Sequence, residues 1–275
     1  MLTTQYNRRR TQVISVTSGK GGVGKTSLIC NLALRFAQLG KKVLVLDGDF
    51  GMANVDIFFG LRSEAGLLDV LKGERTLKEI IQSPQAGVHV IPGGSGIYEM
   101  NHLSNFDRRN LFDQISEIQG HFDYLLVDTA PGIADNVLFL NGHAQTCCVV
   151  ITPDPASFAD SYALIKVIRN QYKRRDFHLI CNQVRNVQEG VRLFERFVDV
   201  CEQFLDVHLH FLGSVPFDEE LRQATREQRL ILKQSELSHA SQSIKKLAAQ
   251  IEERSMKFQS ESSWRQFWEQ TIGVA

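Results

Sequence analysis

An apolar run, a glycine-rich turn and a helix follow one another in register over residues 13–39, and this succession constrains the chain more than any other stretch. Val13, Ile14, Ser15, Val16 and Thr17 read as a buried strand. Residues 26–39 read as a helix with Leu28, Leu32, Ala33, Phe36 and Leu39 recurring at helical spacing. Between them, residues 19–26 fit G-x-x-x-x-G-K-[ST], a loop that encloses phosphate. Gly19, Gly21, Gly22 and Gly24 let backbone N–H groups turn inward around a triphosphate, where side chains would obstruct them. The helix opening at Thr26 aims further unpaired N–H groups and a partial positive charge at the same place. Lys25 then reaches the β- and γ-phosphates and the Thr26 hydroxyl holds Mg²⁺, with Val23 and Ser27 completing the ATP-binding stretch. A second lysine, Lys20, stands directly after the first glycine, where an ordinary loop of this type needs none.

Strand-like runs at 43–46, 88–91, 124–127, 147–151, 177–181 and 209–213 alternate with helical patterns at 105–119, 160–172, 190–205, 219–229 and 239–253. Such alternation predicts an α/β fold: one P-loop NTPase domain, a mainly parallel twisted sheet with helices on both faces. The expected organisation is an N-terminal arm over 1–10, the ATPase domain over 11–255 and a tail over 256–275. A chain of 275 residues with 43% apolar and 23% charged residues can build such a core. Formal net charge is zero, which argues against broad, direct binding of nucleic acid. No apolar run reaches 18 residues, and Arg8, Arg9 and Arg10 read as a solvated basic arm rather than part of a signal segment. Five cysteines without C-x-x-C spacing, and eight histidines without ligand spacing, suggest a reducing cytosol and neither zinc nor an iron–sulfur cluster.

Carboxylates complete the chemistry. Tyr124, Leu125, Leu126 and Val127 end in Asp128, placed to hold Mg²⁺, and Thr129, Ala130, Pro131 and Gly132 follow as a loop suited to sensing the γ-phosphate. The second strand ends in a polar cluster, Asp47-Gly48-Asp49-Phe50-Gly51-Met52-Ala53-Asn54-Val55-Asp56. Asp47 is a second candidate metal carboxylate, and Asp49 can orient the water that attacks the γ-phosphate. Asp56 reads equally well as part of a solvated loop.

Taken together, the segments 20–26, 47–56 and 128–132 resemble the MinD/ParA deviant Walker A ATPases. Tyr162 to Lys166, Gln188 to Gly190 with Leu193 and Phe194, Phe204 to Val207, and Val215 to Asp218 look like the FlhG (FleN) branch of flagellar-number regulators. The resemblance spans about residues 11–255. It implies that Lys20 is the signature lysine, crossing an ATP-bound homodimer to the partner's phosphates. It makes Asp49 the catalytic carboxylate of a first switch that includes Gly51 and Asn54, and residues 128–132 the second switch. Asn182, Pro216, Phe217 and Asp218 would border the adenine. ATP would assemble the dimer and slow hydrolysis would take it apart. Implied partners are an FlhF-type GTPase, flagellar switch components or a FleQ-type transcription activator. Residues 1–10 lack the D-Q-A-x-x-L-R element that some FlhG proteins use to stimulate FlhF. Pro131 stands where iron-protein relatives carry a cluster cysteine, which sets a redox role aside.

In the tail, Trp264, Phe267, Trp268, Thr271, Ile272 and Val274 fall on one side of a helix, and Arg265, Gln266, Glu269 and Gln270 on the other. This face suits either an interfacial membrane helix or a helix docked back on the domain, and MinD and FlhG both end in a membrane-targeting helix. The expected place of the chain is therefore the cytoplasm, peripherally on the inner face of the cell membrane, with Trp264, Phe267, Trp268 and Ile272 meeting lipid. The expected function is an ATP-dependent switch for flagellar number or placement. A MinD-type division-site regulator, a ParA-type partition ATPase and an ATP-gated scaffold with negligible hydrolysis are the alternatives.

Overall fold

The computed structural model describes residues 11–49, 54–62, 65–93, 104–257 and 263–273. Eight strands form one sheet: β1 (Gln12–Thr17), β2 (Val43–Gly48), β3 (Gln82–Gln85), β4 (Val88–Ile91), β5 (Tyr124–Thr129), β6 (Thr146–Ile151), β7 (Asp176–Val184) and β8 (His208–Pro216). Their order across the sheet is β3-β4-β2-β5-β1-β6-β7-β8. All pairings are parallel except β3 on β4, which runs antiparallel at the edge. The α/β expectation of the sequence is met.

The parallel strands are buried on both faces because helices cover both. These helices are α1 (Lys25–Gln38), α2 (Val55–Phe58), α3 (Leu67–Leu71), α4 (Leu77–Ile80), α5 (Asn105–Glu117), α6 (Asp135–His143), α7 (Pro155–Tyr172), α8 (Val187–Phe204), α9 (Glu219–Arg226), α10 (Ile231–Gln234), α11 (His239–Lys257) and α12 (Ser263–Ile272). Alternation along the strands divides the core. Val43 and Val45 of β2 join Ile14 and Val16 in the core under α1 and α11, whereas Leu44 and Leu46 join Val13 on the other face. The helix α6, the short helices α2 to α4 and α10, and the strand β3 lie outside the sequence expectation.

The tail differs most from the expectation of a lipid-facing helix. In α12, Trp264 is 3% exposed, and Phe267, Trp268 and Ile272 are fully buried. They share a core with Leu111 and Ile115 of α5, Leu140 of α6 and Val13 of β1. The apolar stripe meets protein here because α5 and α6 present a matching groove. Arg108 of α5 donates to the Ile272 carbonyl at 2.5 Å, which ties down the carboxyl end of the helix. Both indole N–H groups, of Trp264 and Trp268, are buried without an acceptor. Each such donor costs about 1–3 kcal/mol, so the docking is strong in apolar area and poor in polar satisfaction. Val274 lies outside the described residues. Trp268→Ala is expected to destabilise the nucleotide-free protein by about 3 kcal/mol, read as a lower urea midpoint with little change in slope. An unchanged midpoint would mean that α12 is not seated in solution.

Candidate active site

The site is assembled at the carboxyl ends of β1, β2 and β5, where a parallel sheet leaves its crevice. The register places Val16 of β1 and Asp47 of β2 on either side of Asp128 in β5. The phosphate loop leaves β1 and enters α1 through Gly24, whose φ of 92° is a left-handed conformation that glycine adopts without penalty. A side chain at Gly24 would also meet the Asn182 amide at 2.6 Å. Gly19 has a different reason: any Cβ there would run into the backbone of Asp160 in α7.

Lys25 is buried and its ammonium donates to the Ser18 hydroxyl at 2.9 Å, along the inside of the loop. Burial pulls the ammonium below the usual lysine range, opposed by the charges of Asp128 and Asp49. Lys20 points the other way. Its ammonium forms a hydrogen-bonded ion pair with Asp154, and the two side chains are 41% and 44% exposed. Asp154 caps α7, accepting from the Ala156 N–H at 2.8 Å. The hydrogen bond from Lys20 and that from Ala156 hold its carboxyl below the ordinary range.

The Thr26 hydroxyl donates to one Asp128 oxygen at 2.7 Å. The other oxygen, Oδ1, is buried and has no hydrogen-bond partner. Burial pushes the Asp128 carboxyl up to about 7, the Asp47 charge adding to the shift and the Thr26 hydrogen bond opposing it. An orphaned carboxylate oxygen beside a threonine hydroxyl is a donor set that fits Mg²⁺. Among the described residues no group of three or more His, Cys, Asp or Glu could hold a metal. A divalent ion here would therefore lean on nucleotide phosphates for its remaining ligands, as Mg²⁺ commonly does.

Asp47, expected as a second metal carboxylate, is also a backbone anchor. Oδ1 accepts from the Asp49 N–H at 3.1 Å, and Oδ2 from the Asn54 and Val55 N–H groups at 3.0 Å each. It anchors both ends of the first-switch segment, and burial nonetheless raises its carboxyl to about 6. Gly51 lies outside the described residues. The second switch is tied to the phosphate loop by the Gly132 N–H, which donates to the Ser18 carbonyl at 2.9 Å. Thr129 donates to the Val16 carbonyl at 3.1 Å. From Ala134 the chain enters α6, whose Asn141 donates to the Val137 carbonyl at 2.7 Å and reaches the Thr129 hydroxyl at 3.5 Å.

Of the residues expected near adenine, Asn182 is brought to the loop, its amide donating to the Val23 carbonyl at 2.7 Å. Phe217 is exposed and follows Pro216 at the end of β8. Asp218 is committed elsewhere: Oδ1 accepts from Glu220 and Leu221 N–H groups, and Oδ2 from Ala240 N–H at 2.9 Å. Its carboxylate holds two helix ends, α9 and α11. The Ser27 hydroxyl pairs with that of Thr225 at 3.1 Å, leaving the Ser27 backbone as its contribution to a phosphate site. Sequence reasoning missed Asp154, although Asp followed by Pro at the head of a helix is a start signal.

A domain model described as an AAA domain matches residues 11–181. The antiactivator FleN of Pseudomonas aeruginosa is 39% identical over 241 residues, covering 88% of this chain and 86% of FleN. The flagellum site-determining protein YlxH of Helicobacter pylori is 37% identical, over 88% of this chain and 82% of YlxH. The chain belongs to the MinD/ParA family of ATPases, in its FlhG/FleN branch. The solved septum site-determining protein MinD of Pyrococcus horikoshii, complexed with Mg-ADP, superposes with a TM-score of 0.70 at 27% identity, covering 91% of this chain and all of MinD. The family's activity is ATP hydrolysis, and this chain is an ATPase with a P-loop for its nucleotide. No described helix is long and apolar enough to cross a membrane.

Proposed function

We propose that the chain is a dimerising ATP switch that hydrolyses slowly, regulates flagellar number or placement, and visits the membrane through α12. The divergence of the two loop lysines carries this reading. Lys25 already lines its own loop, whereas Lys20 extends outward to Asp154 with its side chain 41% exposed. A cation of that kind is available to the phosphates of a second copy, where low dielectric would strengthen the contact. The likeness to YlxH, a flagellum site-determining protein, supports the flagellar part. A FlhF-type GTPase, switch components and a FleQ-type activator are the partner classes to try. Division-site placement is the second reading, favoured by the likeness to solved MinD.

In this reading the loop N–H groups and Lys25 bind and orient the triphosphate, and Thr26 and Asp128 hold Mg²⁺. The ion, when bound, neutralises charge on the phosphate oxygens. Asp49 positions the attacking water. Hydrolysis removes the group that both switches and the partner's Lys20 hold, and the copies separate. For membrane contact α12 must leave its groove, and its two unsatisfied indoles lower the cost of leaving. Two copies in a dimer would bind a bilayer by avidity where one binds weakly.

Light scattering tests the switch. Wild type is expected to be monomeric with ADP and dimeric with ATP, and Lys20→Ala monomeric with both. Dimerisation of Lys20→Ala at the wild-type ATP concentration would overturn the role given to that lysine.

A further inference from the structure

Among the described residues a sizeable cavity lies away from the nucleotide site. It measures about 1100 Å³ and opens at the amino ends of β1, β6, β7 and β8, the pole opposite the phosphate loop. Its wall combines Gln12, Thr146 and Asp176 at strand starts, Tyr172 at the end of α7, and Gln250 and Arg254 of α11. Four lysines and arginines line it (Lys173, Arg174, Arg175 and Arg254) against two acids, Asp176 and Glu253. That excess stands out in a chain whose charges balance overall.

Several of these cations have structural partners. Arg174 grips the carbonyls of Gly142 and Ala144 at the end of α6, and Arg175 pairs with Asp206 at 2.6 Å. Lys173 donates to the Asn170 carbonyl at 2.9 Å. Arg254 is less committed, with one guanidinium nitrogen on the Phe211 carbonyl at 2.9 Å. Two buried nitrogens have no partner at all: Nε of Arg174 and Nδ1 of His178. The His178 ring lies 5.0 Å from that of His210, which in turn meets Asp176 at 3.3 Å. Burial holds His178 down at about 4, and the charges of His210, Arg254 and Arg174 add to this, with only Asp176 opposing. Burial is thus the main reason this imidazole stays neutral, and the neighbouring cations are a smaller one.

We propose that this cavity is a second anion site, one that takes a phosphate group borne by a small organic molecule or by a lipid headgroup. A phosphate offers acceptors to the buried donor of Arg174 and to the uncommitted nitrogens of Arg254, which a hydrated cavity satisfies less well. The site goes beyond the ATP cycle and does not require it. A headgroup source is compatible with its position, since Gln12 and Gly142 belong to β1 and α6, the elements on which α12 packs.

Glycerol 1-phosphate is the soluble probe, added to protein saturated with Mg-ADP so that the phosphate loop is occupied. Phosphatidylglycerol and phosphatidylcholine vesicles are the second arm. Expected is probe binding by calorimetry that weakens about tenfold in Arg254→Gln, with ADP affinity unchanged. The proton resonances of His178 in the wild type should at the same time titrate at higher pH, because an anion favours the imidazolium. If the soluble probe is silent but phosphatidylglycerol vesicles bind the full chain and Arg254→Gln loses that binding, the source is the headgroup. If neither arm moves the His178 titration and Arg254→Gln binds both as wild type does, the proposal is overturned.

Discussion

Asp128→Asn is expected to slow single-turnover ATP hydrolysis by about 10²–10³-fold while making the nucleotide-free protein more stable at pH 8. The two effects have one cause. Asp128 is buried, one of its oxygens has no partner, and its carboxyl is raised from 3.8 to about 7. The folded state therefore holds this proton more tightly than the unfolded chain does. Stability is greatest below the unfolded value and is lost as pH rises through the folded one, leaving a deficit above about 7. Asp47, raised to about 6, acts in the same direction. Wild type without nucleotide should accordingly melt higher at pH 5 than at pH 8, and the gap should narrow in Asp128→Asn. The missing charge is also what holds the ion on the phosphates, so stability and activity move apart. A variant less stable than wild type at pH 8, with no acid stabilisation of the wild type, would refute this account.

Asp49→Ala should retain ATP and lose turnover, with single-turnover hydrolysis falling about 10²–10⁴-fold. Asp49 is held at the mouth of the site by its own N–H on Asp47, and its charge acts on both Lys25 and Asp128. None of the loop groups that grip phosphate is removed by the change. The ATP dimer should then persist in light scattering for as long as ATP is supplied, where wild type decays. Equal hydrolysis rates in variant and wild type would favour an ATP-gated scaffold. A fall in rate together with loss of ATP binding would give Asp49 a structural role instead.

The phosphate loop, Asp128 and the parallel sheet were legible in the sequence because each is encoded locally. An apolar strand, a glycine turn and a helical repeat need no knowledge of the rest of the chain. Asp47 was legible as a carboxylate at a strand end but not as an anchor, since its three backbone donors, Asp49, Asn54 and Val55, stand two to eight positions further along the chain. Asp154 was missed because its ion-pair partner lies 134 positions away. Helices of four or five residues such as α2 and α3 are too short to show a period, and α6 is apolar on too many sides to show a face. The tail shows a harder limit. A stripe of tryptophan, phenylalanine and isoleucine looks the same whether it meets lipid or protein, and only the groove of α5 and α6 decides.

That groove has a thermodynamic corollary. The second switch runs into α6 with little chain between, and α6 is one wall of the seat of α12. Suppose ATP loosens the seat by a given factor. A surface that captures the freed helix must then tighten ATP by that same factor, because coupling between two binding equilibria is reciprocal. If α12 visits a bilayer as proposed, that bilayer would be an effector of the nucleotide site as much as a destination, and the apparent affinity for ATP would become a function of how much membrane the protein can reach.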